Sequence, residues 1–263
     1  MKSLETALTV LKVFIDADSD LSVNEVVELV DLKKSHVSKI LSTLRNAGMV
    51  EQDPATRRYS VGVEAFELGT RYIVRSQQAR DALPVMRQLV NACGHSATLS
   101  ILRGTHVLHI MAVEGPHYVD GRWRVGSRLS VHGTSAGQVL LAFQPDAQRT
   151  DLLDVLDLRP LTQKTITRRD RLEAVLSDIR HSGCAITRGE SAPGLAALAV
   201  PVFDAQNEVP LALGVVLPDA LFDTVELDPL REQLFDASRT LSLKLGASDF
   251  PFGAGGGGGA SAK

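Results

Sequence analysis

Within its first 61 residues the chain sets out three short apolar periodicities of helical spacing, then two short runs around an Asp-Pro turn. Few folds remain open to such a succession, because amphipathic helices this short can bury their stripes only against one another. Leu4, Ala7, Leu8, Leu11, Phe14 and Ile15 mark a helix over 4–15, with Ser3 as its N-cap. The segment DADSDLS interrupts it. Ser22 caps a second helix, and Glu25, three residues on, completes a capping box. Val23, Val26, Val27 and Val30 form that helix's inner stripe. A third helix turns Val37, Ile40, Leu41 and Leu44 inward and stops at Asn46-Ala47-Gly48, where glycine is the usual terminator. Met49–Gln52 and Arg57–Val61 flank Asp53-Pro54 and read as a hairpin. A hairpin directly after a trihelical unit is the wing of a winged helix.

The outward side of the third helix carries the chemistry. It runs Lys33, Lys34, Ser35, His36, Ser38, Lys39, Ser42, Thr43, Arg45 and Asn46, with no acid and no large apolar group. A helix lying in the major groove needs short polar groups for base edges and flanking cations for phosphates. A solvated face with no ligand normally mixes both signs. Charge separates along the sequence as well. Residues 1–32 hold Lys2 and Lys12 against seven acids, a net of −5, whereas residues 33–58 hold six cations against Glu51 and Asp53, a net of +4. Ser35, His36, Ser38 and Lys39 are therefore expected at base edges. Lys33, Lys34, Ser42, Arg45, Arg57 and Arg58 are expected at phosphates.

The whole chain carries a net charge of −3, so any nucleic-acid site must be this local patch rather than a global basic field. Cys93 and Cys184 are the only cysteines, too few for a disulfide framework. No zinc ligand spacing is present, and His106 and His109, three apart on one strand, should face opposite ways. The start MKSLETALTV lacks the pattern of a signal peptide, and the longest apolar runs fall short of a membrane span. These features predict a soluble cytoplasmic protein with no cofactor and no membrane partner.

Residues 64–76 read as a further helix that links the units and pairs protomers. Beyond it, helices near 79–91, 135–143, 146–156, 168–182 and 228–245 alternate with strands near 96–102, 106–114, 117–124, 184–190, 196–203 and 211–217. Strands joined by tight turns, with helices grouped around them, predict an antiparallel sheet flanked by helices and an α+β class overall. The expected division is a winged helix over 1–62, a linker and dimerisation helix over 63–77, an α+β domain over 78–248, which the resemblance described next makes the effector-binding domain, and a flexible glycine-rich tail over 249–263.

Two stretches carry a family resemblance. Leu32–Leu41 (LKKSHVSKIL), followed by Leu44–Val50 (LRNAGMV), resembles the recognition helix and wing approach of the IclR family of transcriptional regulators. Leu129–Ala142 (LSVHGTSAGQVLLA) is similar to that family's effector-domain signature. Both stand in the family's order, and the resemblance spans all but the glycine tail. It implies a winged helix-turn-helix, a linker helix, a GAF-like effector domain, and homodimers that often pair into homotetramers. It also implies control of a catabolic operon, read here as repression of double-stranded operator DNA, in response to a small organic acid or aromatic. Carried over by position, the family's effector pocket falls on Tyr118, Gly121, Ser135, Ala136, Thr187, Ala197, Gly214 and Val216. Several of these are smaller and less polar here than in acid-sensing members, which favours a bulkier, aromatic ligand. Tyr118 and Trp123 are placed to flank a ring, and Arg122 or Arg124 to hold a carboxylate; Trp123 reads equally as a core aromatic. Gly133, Ser135, Ala136 and Gly137 either admit a ligand to the start of a helix or allow close helix–sheet packing.

Gly133–Gly137 also fits the nucleophile elbow G-x-S-x-G, with Ser135 as the nucleophile. A hydrolase would need a histidine after that serine. Only His181 follows, on the far end of an exposed-looking helix, so the reading is not an enzyme.

Overall fold

The computed structural model describes residues 2–17, 19–116 and 125–254. The chain divides into two compact units, Met1–Ser76 and Gln77–Lys263.

The first unit holds α1 (Lys2–Lys12), which runs into a 3₁₀ turn at Val13–Ile15, then α2 (Val23–Val30), α3 (Lys34–Asn46), β1 (Val50–Gln52), β2 (Tyr59–Val61) and α4 (Val63–Arg75). The capping box forms: the Glu25 amide donates to Ser22 Oγ, and the Ser22 amide donates to Glu25 Oε2. Val10, Phe14, Val26, Val37, Ile40, Leu41, Val50 and Tyr59 make the core. Val10, which the apolar pattern of the first helix passes over, is fully buried, while Leu4, Leu8 and Ile15 remain exposed. The first helix thus turns one apolar edge inward and leaves the other in water. Gly48 ends α3 at a φ of +67°, and Met49 N–H closes back onto the Leu44 carbonyl. Gly62 crosses it so closely that a Cβ there would stand 2.1 Å from the Gly48 carbonyl oxygen. β1 and β2 pair antiparallel, and Leu21 adds a two-bond bridge to Tyr59 that ties the wing to the segment before α2.

The second unit runs α5 (Gln77–Cys93), β3 (Ser96–Arg103), β4 (His106–Val113), β5 (Arg128–Ser130), α6 (Ser135–Ala142), α7 (Asp146–Val155), α8 (Arg169–Ser182), β6 (Ala185–Arg188), β7 (Leu195–Val202), β8 (Leu211–Pro218), α9 (Asp219–Phe222) and α10 (Leu227–Lys244). Its sheet has the order β5-β4-β3-β8-β7-β6, with every neighbour antiparallel. The strand expected near 117–124 lies outside the described residues, and β5 occupies a stretch read from sequence as loop. α5 packs with α10, and α6 with α8. α5 and α10 together meet β3, β4, β7 and β8, and α6 meets β3, β4, β6, β7 and β8.

The chain end differs from expectation. A flexible tail was expected from residue 249, yet Phe250 is buried and Phe252 stacks on Phe203 and Phe235. Arg239 donates to the Phe252 carbonyl, and a Cβ at Gly183 would run 2.3 Å into the Phe252 ring. Two aromatics beside a glycine run carry no periodicity, so sequence reading assigned them to the tail. No described helix is long and apolar enough to cross a membrane. Because removing one buried phenylalanine costs about 3–5 kcal/mol, a chain ending at Ser248 should melt on the order of 10 °C lower. A chain ending at Ala254 should melt unchanged; calorimetry distinguishes the two.

Candidate functional site

Two surfaces carry chemistry, one in each unit. In the first, Lys33, Lys34, Ser35, His36, Ser38, Lys39 and Arg45 are exposed along α3, and Ser42 is half-buried. Val37, Ile40 and Leu41 anchor the opposite side. Among the described residues, Lys33, Lys34, Lys39 and Arg57 pair with no carboxylate. Arg45 donates to Gln52 Oε1 at 2.9 Å, and Gln52 Nε2 donates to the Arg57 carbonyl at 2.9 Å, which braces α3 against the wing. Asp53 Oδ1 accepts from the amides of Ala55 and Thr56 and organises the turn; those bonds hold its carboxyl below the usual range. Arg57 follows at the wing tip with φ +60°.

Arg58 departs from its expected role at a phosphate. Its guanidinium bonds both oxygens of Glu25 at 2.7 Å and the Asp20 carbonyl at 2.9 Å. Hydrogen bonds from Ser22, and then Arg58 itself, hold the Glu25 carboxyl down at about 2. One acid of the supporting helices thereby takes a cation of the wing, a long-range pairing that local patterns do not reveal.

In the second unit, register decides which candidates meet. Thr187, Ala197, Val216 and Ser96 form one cross-strand row, and Gly214 lies in the next row with Thr98, Ala199 and Ala112. Cross-strand partners share a face, and so do residues two apart. Four of the expected pocket residues therefore lie on one face of the sheet. Val216, Ala112, Leu195 and Ala197 form a small apolar cluster of their own on that face, and all but Val216 are only partly buried. Thr98, missed from sequence, stands here with its Oγ1 3.2 Å from where a Gly214 Cβ would lie. The alternation Ser96, Thr98, Ser100 on an otherwise aliphatic strand is the signal that would have found it. Tyr118, Gly121 and Trp123, with Arg122 and Arg124, lie outside the described residues.

Ser135 and Ala136 open α6, every residue of which is buried. Thr134 caps it, accepting from the Gly137 amide at 3.2 Å. The glycines here serve packing: a Cβ at Gly137 would lie 2.3 Å from the Val131 carbonyl oxygen, and one at Gly133 would lie 2.7 Å from Leu161 Cδ1. Gln138 donates to the His132 carbonyl and to Glu190 Oε2. Both ring nitrogens of His132 are engaged, one by Ser130 Oγ and one by the Arg159 carbonyl. His181 is exposed on α8 and bonds the Ser177 carbonyl. Among the described residues, the two histidines nearest the motif in sequence or after it, His132 and His181, are thus both engaged elsewhere, and the elbow is one in sequence only. His109 is buried against Ser100 while His106 is exposed, and no metal-ligand group of three forms among the described residues. A cleft of about 530 Å³ opens at the other end of α6, lined by Leu102, Phe143, Gln148, Asp151, Val209 and Pro210; among the described residues, none of the expected pocket positions lines it.

Residues 3–54 match the profile described as the IclR helix-turn-helix domain, and residues 70–243 match the bacterial transcriptional regulator IclR C-terminal profile. The chain belongs to the IclR family. It is 31% identical to the HTH-type transcriptional regulator XynR of Escherichia coli (strain K12), over 94% of this chain and 98% of that protein. The crystal structure of an IclR-type regulator from Alicyclobacillus acidocaldarius superposes with a TM-score of 0.79 at 28% identity, covering 94% of this chain and 99% of that one. An IclR homolog from Microbacterium hydrocarbonoxydans, solved as a complex with 4-hydroxybenzoate, shares the fold at a TM-score of 0.78 and 23% identity, over 92% and 98% of the two chains. This IclR-family chain is a helix-turn-helix transcriptional regulator and not an enzyme.

Burial pushes Glu190, beside α6, from 4.5 to about 6, against the opposing pull of the Gln138 hydrogen bond. The unfolded chain thus releases this proton first. Native stability falls as pH rises from 4.5 towards 6, and the full penalty stands above that range. Glu190→Gln keeps an acceptor for Gln138. It should melt above the parent at pH 7.5, and the difference should vanish at pH 4.5. Parallel melts across this range check both points.

Proposed function

We propose that this regulator binds operator DNA as a homodimer, represses a catabolic operon, and is released or retained according to a small organic acid, aromatic or otherwise bulky, bound in the second unit. The observation carrying the DNA reading is the exposed side of α3: cationic, acid-free and braced to a wing. Ser35, His36, Ser38 and Lys39 face base edges. Lys33, Lys34, Ser42, Arg45 and Arg57 hold phosphates, and Arg58 orients the wing through Glu25. Two such helices, one per protomer, read half-sites a helical turn apart on a near-palindrome.

Pairing falls to α4, which buries none of its own residues and exposes Val63, Phe66, Leu68, Tyr72 and Val74. A helix this apolar on its surface wants a partner, and a second copy supplies the same stripe by symmetry. The linker helix over 63–77 joins the winged helix of 1–62 to the effector domain of 78–248. The assembly on DNA is this homodimer or a homotetramer built from two of them. The ligand reading rests on the small-residue face bearing Thr187, Ala197, Gly214 and Val216, with Ser135 and Ala136 at the start of α6. The complex of a fold relative with 4-hydroxybenzoate supports an aromatic acid. A ligand that favours one protomer arrangement shifts DNA affinity by that preference.

On DNA flanking its own gene, the combined variant Lys34→Ala, His36→Ala, Lys39→Ala should abolish the mobility shift while keeping its fold by circular dichroism. Retained affinity would remove the basis of the DNA reading. Salt titration separates the cations. Loss of one phosphate contact flattens the slope of log affinity against log salt by about 0.9. Lys34→Ala should show that change for each site occupied. Arg58→Ala should weaken binding with the slope intact. Phe66→Glu with Tyr72→Glu should shift the protein towards monomer in analytical ultracentrifugation.

A further inference from the structure

The cleft beside the C-terminal end of α6 belongs to neither the α3 surface nor the small-residue face. It forms where the β3–β4 hairpin, the joint between α6 and α7, α7 itself and the β7–β8 connection converge. Ser135 and Ala136 stand at the opposite end of α6. Its volume of about 530 Å³ is room for a small organic molecule. The floor is apolar: Val209 is buried, and Leu102, Phe143, Leu152 and Pro210 are half-buried. Edge contacts with Phe203 and Phe252, at centroid distances of 5.8 and 6.0 Å, fix the Phe143 ring. A ligand therefore meets a floor already in place.

The charge of the lining has one sign. Asp151 and Glu208 are its charged residues, and it holds no lysine, arginine or histidine. Ion pairing elsewhere leaves both acids unanswered. Of the three acids on α7, Asp146 takes Arg149 and Arg180, and Asp154 takes Arg169. Asp151 meets no cation among the described residues. Arg149, two residues away, also donates to the Gln144 carbonyl, which commits it to the α6–α7 joint. In the β7–β8 connection, Asp204 Oδ1 accepts from the amides of Gln206 and Glu208, and the Asp204 amide donates to the Glu208 carbonyl. The Glu208 backbone is thereby held, while its carboxylate bonds no described residue.

We propose that this cleft is a second small-molecule site, for an organic amine in its cationic form. The apolar body of the ligand covers the floor, and its ammonium group sits in the field of Asp151 and Glu208. Covering apolar surface supplies affinity. The two carboxylates supply the choice of charge. An organic acid of the same shape meets two like charges and no counter-charge, so the cleft discriminates against the ligand class proposed for the effector face. The inference does not depend on that effector reading, because the two sets of residues do not overlap.

Isothermal titration of the full chain tests this with three probes of one shape: 2-phenylethylamine, 2-phenylethanol and 3-phenylpropanoate. The amine should bind more tightly than the alcohol, and added salt should weaken the amine alone. Asp151→Asn and Glu208→Gln should each weaken the amine about fivefold and leave the alcohol unchanged. Gln148→Trp, which fills the cleft, should abolish amine binding. All three positions are exposed, so each variant should melt with the parent. Any binding of 3-phenylpropanoate should ignore all three substitutions. Equal affinity for amine and alcohol, or an amine affinity untouched by both acid substitutions, overturns the choice of charge and with it the inference. Amine binding that survives Gln148→Trp places the ligand elsewhere, and failure of the amine to bind overturns the site outright.

Discussion

Parity along three strands governs which side chains each face of the second unit's sheet presents. β8 runs antiparallel between β3 and β7, so each cross-strand row shares a face and alternate residues must diverge. Leu99, Leu213, Val215, Leu198 and Val200 fall on one side, all fully buried. Thr98, Gly214, Ala199, Ala197 and Ser96 fall on the other. The aliphatic side supplies burial at about 25 cal/mol per Å² of apolar surface, and thereby leaves the second side free to be small and polar. A one-residue slip would exchange the two, putting leucines on the small-residue face and threonines on the aliphatic one. The same residues that anchor the domain therefore fix which groups stand on the opposite face.

In the first unit the corresponding constraint is electrostatic. Acids gather before residue 33 and cations after it, and the fold brings one pair back together across that divide. Glu25 serves twice, closing the cap of α2 and seating Arg58. The wing is thus oriented by an ion pair and by the Leu21–Tyr59 bridge rather than by its own short strands, which contribute three residues each. Both partners of the pair are substantially exposed, so its worth is positional more than energetic.

Local signals were legible, and distant ones were not. Ser22 with Glu25, the stripe Val37–Ile40–Leu41, the stop at Gly48 and the positions of most strands follow from spacing and capping chemistry within a few residues. The grouping of Thr187, Ala197, Gly214 and Val216 came from a family resemblance, and the register then put all four on one face. Arg58 looked like a phosphate ligand because its partner lies 33 residues away. Phe250 and Phe252 looked like tail because their neighbours in sequence are glycines and their neighbours in space are Phe203 and Phe235. Thr98 was within reach of a period-2 count along Ser96, Thr98 and Ser100.

α6 is enclosed on every side, from Ser135 to Ala142. Such a helix has no position where substitution is neutral, since each side chain already fills a measured space. Exchange is accordingly easier at the partly buried positions of the opposite strand rows, such as Ala112, Leu195 and Ala197, than on α6. New ligand preferences would then arise by small steps across a fixed scaffold, with the buried helix held constant throughout.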